Sequence, residues 1–407
     1  MNVSSRMSQL TCFCLALTVV AGCGSPKREH AVPHDLQDRA LVPGMGPQVR
    51  TWGAAISPAF METIVRSADE ERAMLAAAGH TGPLPTANFL AISGGGANGA
   101  FGAGLICGWT DAGTRPSFKV VTGISTGALT APFVFAGPEY DHVLREVYTK
   151  TTTGDILKAR GLIAGMFSDA MADTKPLWKT LSKYVDEKLM NVIATEYRKG
   201  RFLVIGTCNL DARRAVLWNV GEIATSGHPQ ALETVRRIMI ASAAIPGAFP
   251  PVFFDVEVDG KKFQEMHVDG GTMTQVFLYP PSLKLREMAA ARGVTRDRRA
   301  FIIRNARLDP DWAETNRRLM PIAARAIDSL LHTQGVGDLY RIFVNCERDG
   351  IDYNLAYIPA SFKLVSKEPF DPEYMTQLFQ VGYDMSKKGY PWEKAPPAFE
   401  MPVPTNP

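Results

Sequence analysis

Histidine is scarce in this sequence, 7 residues in 407, and none of the seven stands in an HExxH pattern. No CxxC is present either. Without those ligand spacings no metal site is suggested, and no cofactor is expected. Cysteine is equally sparse. Of the 6 cysteines, Cys12 and Cys14 fall in an apolar first segment and Cys23 closes it. Cys107, Cys208 and Cys346 remain, an odd and widely spaced set that argues against a disulfide framework. They read as small buried hydrophobes. Neither sign of charge dominates: 44 basic residues face 41 acidic ones, for a net charge of +3. A basic block interleaved with aromatics is also missing, so nucleic acid is not an expected partner. Internal repeats and low-complexity tracts are absent, and with 46% hydrophobic and 21% charged residues the chain has an ordinary globular composition.

What is present begins at the N-terminus. MNVSSRM carries one Arg, and LTCFCLALTVVAG follows as an apolar run too brief to span a bilayer. It ends in Val20-Ala21-Gly22-Cys23, small residues directly before a cysteine. That ending resembles a bacterial lipobox, which implies lipidation of Cys23 and a lipid anchor in the membrane. A plain secretory signal cut nearby is the other reading. Gly24, rather than Asp, after Cys23 directs the expectation to an outer membrane of a bacterial envelope. The chain is expected to divide into a signal peptide at 1–22, a tether and helix at 23–85, a core at 86–285, and a part completing the same domain at 286–407. Within the second division, Gly24 to about Gln48 is polar and proline-bearing and reads as tether. A helix is predicted from Ser57-Pro58 to Gly79.

From Asn88 the pattern alternates between strand, turn and helix. NFLAIS, FKVVTGI, RFLVIGTCNL, AVLWNV, AFIIRN and DYNLAYI read as strands, with helices such as AFGAGLICGWTDAG, TGALTAPFVFAG and ALETVRRIMIASAAI between them. Pro321 to Thr333 reads as a further helix. This predicts an α/β fold, a mainly parallel central sheet flanked by helices in three layers. Chemistry in such folds gathers at the carboxyl ends of the strands.

Two turns at those ends stand out. The first, ISGGGANGAFGAG, contains GxGxxG at Gly94, Gly96 and Gly99. Dinucleotide binding also wants an acid closing the second strand, and the nearest, Asp111, lies at the end of the intervening helix. Consecutive glycines alternatively let several backbone N–H groups converge at a helix N-terminus as an oxyanion hole. Close helix–strand packing is the plainer use. The second turn, Gly123-Ile124-Ser125-Thr126-Gly127, fits G-x-S-x-G between a strand and a helix, the setting of a nucleophilic serine. Adjacent parallel strands put both turns at one sheet edge.

A proton acceptor for Ser125 is harder to find. His228 lies in a loop without an acidic neighbour, and His332 ends a helix. His267 stands in EMHVDGG, two residues before Asp269, on the same side if the stretch is extended. Gly270 and Gly271 fit a tight turn that leaves the Asp269 carboxylate reachable.

GGGANG, GISTG and VDGG, in this order and separation, resemble the patatin-like phospholipase family. LPTANFLAISGGG, LDARRAVLWN and ASAAIPGAFPPV read like the same family's connecting segments. The resemblance is strong from about Phe89 to Thr272. It implies a Ser–Asp dyad, with Ser125 as nucleophile, Asp269 as proton acceptor and Gly94, Gly95 and Gly96 lining the oxyanion hole. It implies a lipid acyl hydrolase of phospholipase A, lysophospholipase or carboxylesterase type, acting on a phospholipid or other acyl ester through an acyl-enzyme. Asn98 departs from the family, which often has Lys or Arg there, and that puts a phospholipid headgroup preference in doubt. A catalytically silent lipid-binding envelope lipoprotein and a Ser-His-Asp esterase using His267 are the alternatives. Ile156 to Trp178, apolar with scattered charge, reads either as a lid or as a core-packed helical pair.

Overall fold

The computed structural model describes residues 28–159, 169–310 and 312–398. The leader, Cys23 and much of the Ile156 to Trp178 segment lie outside the described residues. The strands are β1 (Arg50–Trp52), β2 (Ala87–Ile92), β3 (Val120–Ile124), β4 (Lys158–Ala159), β5 (Ala172–Asp173), β6 (Phe202–Asn209), β7 (Arg214–Asn219), β8 (Val252–Val258), β9 (Lys261–Asp269), β10 (Arg298–Arg304) and β11 (Asp352–Tyr357). The main sheet runs β1-β7-β6-β3-β2-β10-β11, with the β8–β9 hairpin attached to β6 through β9. Its centre, β6, β3, β2, β10 and β11, is parallel throughout. The pairings of β1, β7, β8 and β9 are antiparallel.

Flanking this sheet are α1 (Pro58–Ala77), α2 (Gly99–Asp111), α3 (Thr126–Ala136), α4 (Asp141–Lys150), α5 (Lys175–Tyr184), α6 (Glu187–Arg198), α7 (Ala231–Ser242), α8 (Leu319–Asp349) and α9 (Pro372–Lys387). Every residue of β6 is buried, as both faces of a covered sheet require. Helices α2 and α3 are buried almost all round, which their runs of Gly, Ala, Phe and Val permit. Helix α9 lies so close to α2 that a Cβ on Gly104 would sit 1.9 Å from the Phe379 carbonyl oxygen. Helix α1 begins as its sequence predicts, with the Ser57 hydroxyl accepting from Phe60 N–H and Pro58 in the first turn.

The expected tether is a correction. From Arg28 onward the segment is packed, with Val32, Ala40, Val42, Met45 and Val49 buried. Leu41 and Glu257 exchange backbone hydrogen bonds of 3.0 and 2.8 Å, and Arg50 forms an ion pair with Glu265. The segment therefore clamps the β8–β9 hairpin before entering β1. Its apolar residues are spaced singly to fit a hairpin's outer face, so no helical or strand period betrays them.

Candidate active site

The site is built along one edge of β6. β7 occupies the other edge from Val204 to Asn209. On the free edge β3 runs parallel until Ile124 pairs with Gly206. There β3 stops, and β9 takes over antiparallel, with Asn209 opposite His267 and Thr207 opposite Asp269. The two strands thus approach along one rail from opposite directions and end head to head. Ser125 is the first residue past one end, and Asp269 is the last residue of the other. Only glycines fit the junction: a Cβ on Gly270 would lie 2.5 Å from the Gly206 carbonyl oxygen, and one on Gly206 2.4 Å from Ile124 Cδ1.

Ser125 caps α3 at φ 54° and ψ −123°, a left-handed conformation costing about 1–3 kcal/mol in a non-glycine residue. The surroundings hold it there. Its N–H donates to Ser242 Oγ at 2.9 Å, and Ser242 Oγ donates to the Gly206 carbonyl at 2.7 Å. The flanking glycines let α3 sit on the sheet: a Cβ on Gly127 would be 2.2 Å from the Ile92 carbonyl oxygen, and one on Gly123 2.4 Å from that of Gly127.

Asp269 is 5% exposed. Its N–H donates to Ala244 at 2.9 Å, and its Oδ1 accepts from Gly271 N–H at 2.7 Å. Burial pushes the carboxyl up to about 6, against the pull of hydrogen bonds from the Ser125 side chain and the Gly271 N–H.

The glycine loop leaves β2 beside this junction. The expectation that Gly94, Gly95 and Gly96 act alike needs correction. Gly94 does abut the serine, since a Cβ there would lie 3.2 Å from Ser125 Cβ. Its N–H is already committed to the Gln275 carbonyl at 3.0 Å, so it has no proton to offer an oxyanion. Among the described residues, the Gly95 and Gly96 N–H groups have no acceptor. Gly95 stands at φ 152°, with Asn305 so close that a Cβ would meet its carbonyl oxygen at 2.3 Å. Asn305 braces the loop, donating from its backbone N–H to Ser93 Oγ and from Nδ2 to the Ser93 carbonyl, at 2.8 and 3.0 Å. Gly99 packs α2 against Thr126 and Tyr148. Asn305, Gln275 and Ser242 escape sequence reasoning because each comes from a distant segment with no pattern of its own.

The histidines lie elsewhere. His267 is fully buried, with Nδ1 2.9 Å from Thr207 Oγ1 and Nε2 3.1 Å from Glu265 Oε2. Trp218 Nε1 donates to Thr207 Oγ1 at 2.8 Å. The Glu265 carboxylate only accepts, so a neutral ring donates to it from Nε2 and its Nδ1 accepts from the Thr207 hydroxyl. Burial holds the imidazole below its ordinary pKa despite Glu265. Both ring nitrogens are thus engaged away from Ser125. His228 lies against Gly44, and the His332 carbonyl accepts from Arg304.

Residues 90–279, which span the glycine loop, the serine turn and the aspartate, match the family model described as Patatin-like phospholipase. The chain carries a patatin-like phospholipase domain. Its mixed, mostly parallel sheet flanked by helices is the patatin-like α/β fold. The family implies lipid acyl hydrolase activity. The chain is also similar to VipD from Legionella pneumophila, at 12% identity and a TM-score of 0.32. That alignment covers 75% of this chain and 66% of that one, just under two thirds of its length. No curated protein matches.

In the patatin-like domain Asn98 accepts from Tyr374 Oη at 2.7 Å, which ties the loop to α9. Gly96 and Thr126 head an apolar slot lined by Leu129, Phe133, Leu144 and Met375. Its volume is about 60 Å³. Among the described residues there is no cluster of three or more His, Cys, Asp or Glu able to hold a metal.

Proposed function

We propose that this chain is a serine ester hydrolase of acyl lipids working through a Ser125–Asp269 dyad. The observation that carries the reading is the head-to-head meeting of β3 and β9 on β6, which brings a strained serine against a buried carboxylate. Ser125 Oγ attacks the acyl carbonyl while its proton passes to Asp269. Charge builds on the carbonyl oxygen, where the Gly95 and Gly96 amides are the available donors, each worth about 3 kcal/mol in the transition state. Asp269 then returns the proton to the departing alcohol, leaving an acyl group on Ser125. Water, deprotonated by the same carboxylate, releases the fatty acid. A carboxyl raised to about 6 is ionised at neutral pH yet close enough to it to serve as a base. The apolar slot beyond Gly96 and Thr126 supports an acyl chain as the group transferred. The VAGC ending of the leader further supports a lipid anchor on Cys23, holding the enzyme in a bacterial envelope with the outer membrane as its site.

The test is covalent labelling with a fluorophosphonate, read by peptide mass. Ser125 is expected to take the label, and Ser125→Ala to lose both label and ester hydrolysis by more than about a hundredfold. An unlabelled chain with no turnover on phospholipids, lysophospholipids or short-chain esters would make it a silent lipid-binding protein.

A further inference from the structure

Helix α8 is one continuous element of 31 residues, but its halves carry apolar side chains on different faces. In the second half Leu339, Ile342, Phe343 and Cys346 are buried with residues of β2, β10 and β11. In the first half the large apolar residues are Leu319, Met320, Ile322, Ile327, Leu330 and Leu331. At 3.6 residues per turn the two sets are centred about 140° apart. Seating the second half in the core therefore turns the first half's stripe away from the protein. Leu319 is 80% exposed, Met320 75% and Leu330 69%, and Trp312 just upstream is 86% exposed. A contiguous apolar stripe of this kind marks a binding surface, where single exposed residues do not.

The stripe adjoins the site. Gln334, where it ends, approaches the Gln275 side chain at 3.4 Å. Gln275 in turn accepts from Gly94 N–H and donates to the Gly271 carbonyl. The loops carrying Trp312 and the 79% exposed Val365 follow β10 and β11. Both strands run parallel with β2 and β3, so these loops leave the sheet at the edge that holds Ser125.

We propose that the first half of α8, with Trp312, docks on a phospholipid bilayer bearing anionic headgroups and so brings the dyad to its substrate. This rests on the lipid-hydrolase reading above. Two exposed cations, Arg317 and Arg318, stand at the start of the stripe. Apolar and Trp side chains at the acyl boundary, with Arg at headgroup level, are what hold an amphipathic helix in the interface. Among the described residues no helix is long and apolar enough to cross a membrane, and α8 accordingly lies on the bilayer.

The experiment uses the chain from Gly24 onward with Cys23 absent, which retains every described residue. It is co-sedimented with vesicles of phosphatidylcholine, with and without phosphatidylglycerol. Binding is expected to be stronger with phosphatidylglycerol, and Leu319→Glu with Leu330→Glu should weaken it at least about tenfold. Leu330→Gln alone should weaken it in part. Trp312→Phe should remove a vesicle-induced blue shift of tryptophan emission. Hydrolysis of a soluble short-chain ester should be unchanged in all these variants, while hydrolysis of vesicle phospholipid falls with binding. A parent chain that sediments with neither vesicle, or a double variant that sediments like the parent, overturns the proposal. So does a parent dimer in light scattering that the double variant splits, which assigns the stripe to self-association. If binding follows the prediction but the soluble ester is not hydrolysed, docking stands and the hydrolase reading falls.

Discussion

Replacing Asp269 with Asn should move activity and stability in opposite directions. Burial raises this carboxyl from 3.8 to about 6, and at about 1.4 kcal/mol per pH unit its charge costs the folded state about 3 kcal/mol. For a raised carboxyl the sign is fixed. Its contribution is fully present below about 3.8, declines as pH rises through about 6, and is lost above that. Asparagine does not ionise, and its Oδ1 still accepts from Gly271 N–H. Asp269→Asn should therefore match the parent near pH 4 and exceed it by up to about 3 kcal/mol near pH 8. Glu265 changes stability in the opposite direction. Burial would raise it, but the Arg50 charge and a His267 hydrogen bond outweigh this and hold it at about 2. That contribution is common to both proteins and cancels in the difference. Urea unfolding across the pH range gives the stability arm. In the activity arm, parent kcat/KM should rise with pH through about 6, and the variant should lose about a hundredfold to ten-thousandfold. A stability difference independent of pH, or a variant within tenfold of the parent, refutes the reasoning.

His267→Ala should destabilise the fold by about 3 kcal/mol or more in urea, because Glu265 and Thr207 lose a buried partner. Its kcat/KM should stay within about tenfold of the parent, and a loss matching that of Ser125→Ala with the fold intact would restore the histidine triad. Gly96→Ala meets no neighbouring atom at φ 55° and should fold with a penalty of about 1 kcal/mol while losing at least about tenfold in kcat. Gly95→Ala, facing the Asn305 carbonyl at 2.3 Å, should fail to accumulate as folded protein. Cys23→Ala should be unprocessed or leave the membrane fraction, and intact mass should show a lipid-modified Cys23 in the parent; an unmodified N-terminus elsewhere ends that reading.

The parallel strands and their two functional turns were legible because each obeys a local rule. VVTGI is apolar enough to be buried on both faces, and the glycines around Ser125 mark a turn that larger residues could not make. Asp269 was legible through VDGG. The β8–β9 hairpin that delivers it was overlooked, although Asp255 and Glu257 alternate with the buried Val256 and Val258 ahead of the two-residue turn Asp259-Gly260. The packed segment before β1 failed because its apolar contacts are scattered without a period. Helix α8 failed differently. Its stripe changes face near Gly335, so a single amphipathic pattern ends there and only the first half was expected.

The serine and the aspartate meet at β6. A nucleophile at a left-handed φ and a desolvated carboxylate each work against folding, by about 1–3 kcal/mol apiece. Neither persists unless its surroundings leave no cheaper arrangement. β6 supplies that constraint because its eight residues are all buried and it carries the register of both partners, Ile124 through Gly206 and Asp269 through Thr207. A shift of β9 by one residue would turn Asp269 to the other face and put the apolar Val268 in its place. The same shift would pull His267, the alternative base offered by the sequence, from its buried partners Thr207 and Glu265. In this fold the backbone pairing with β6 holds the register that holds the base, and the histidine adds stability to it.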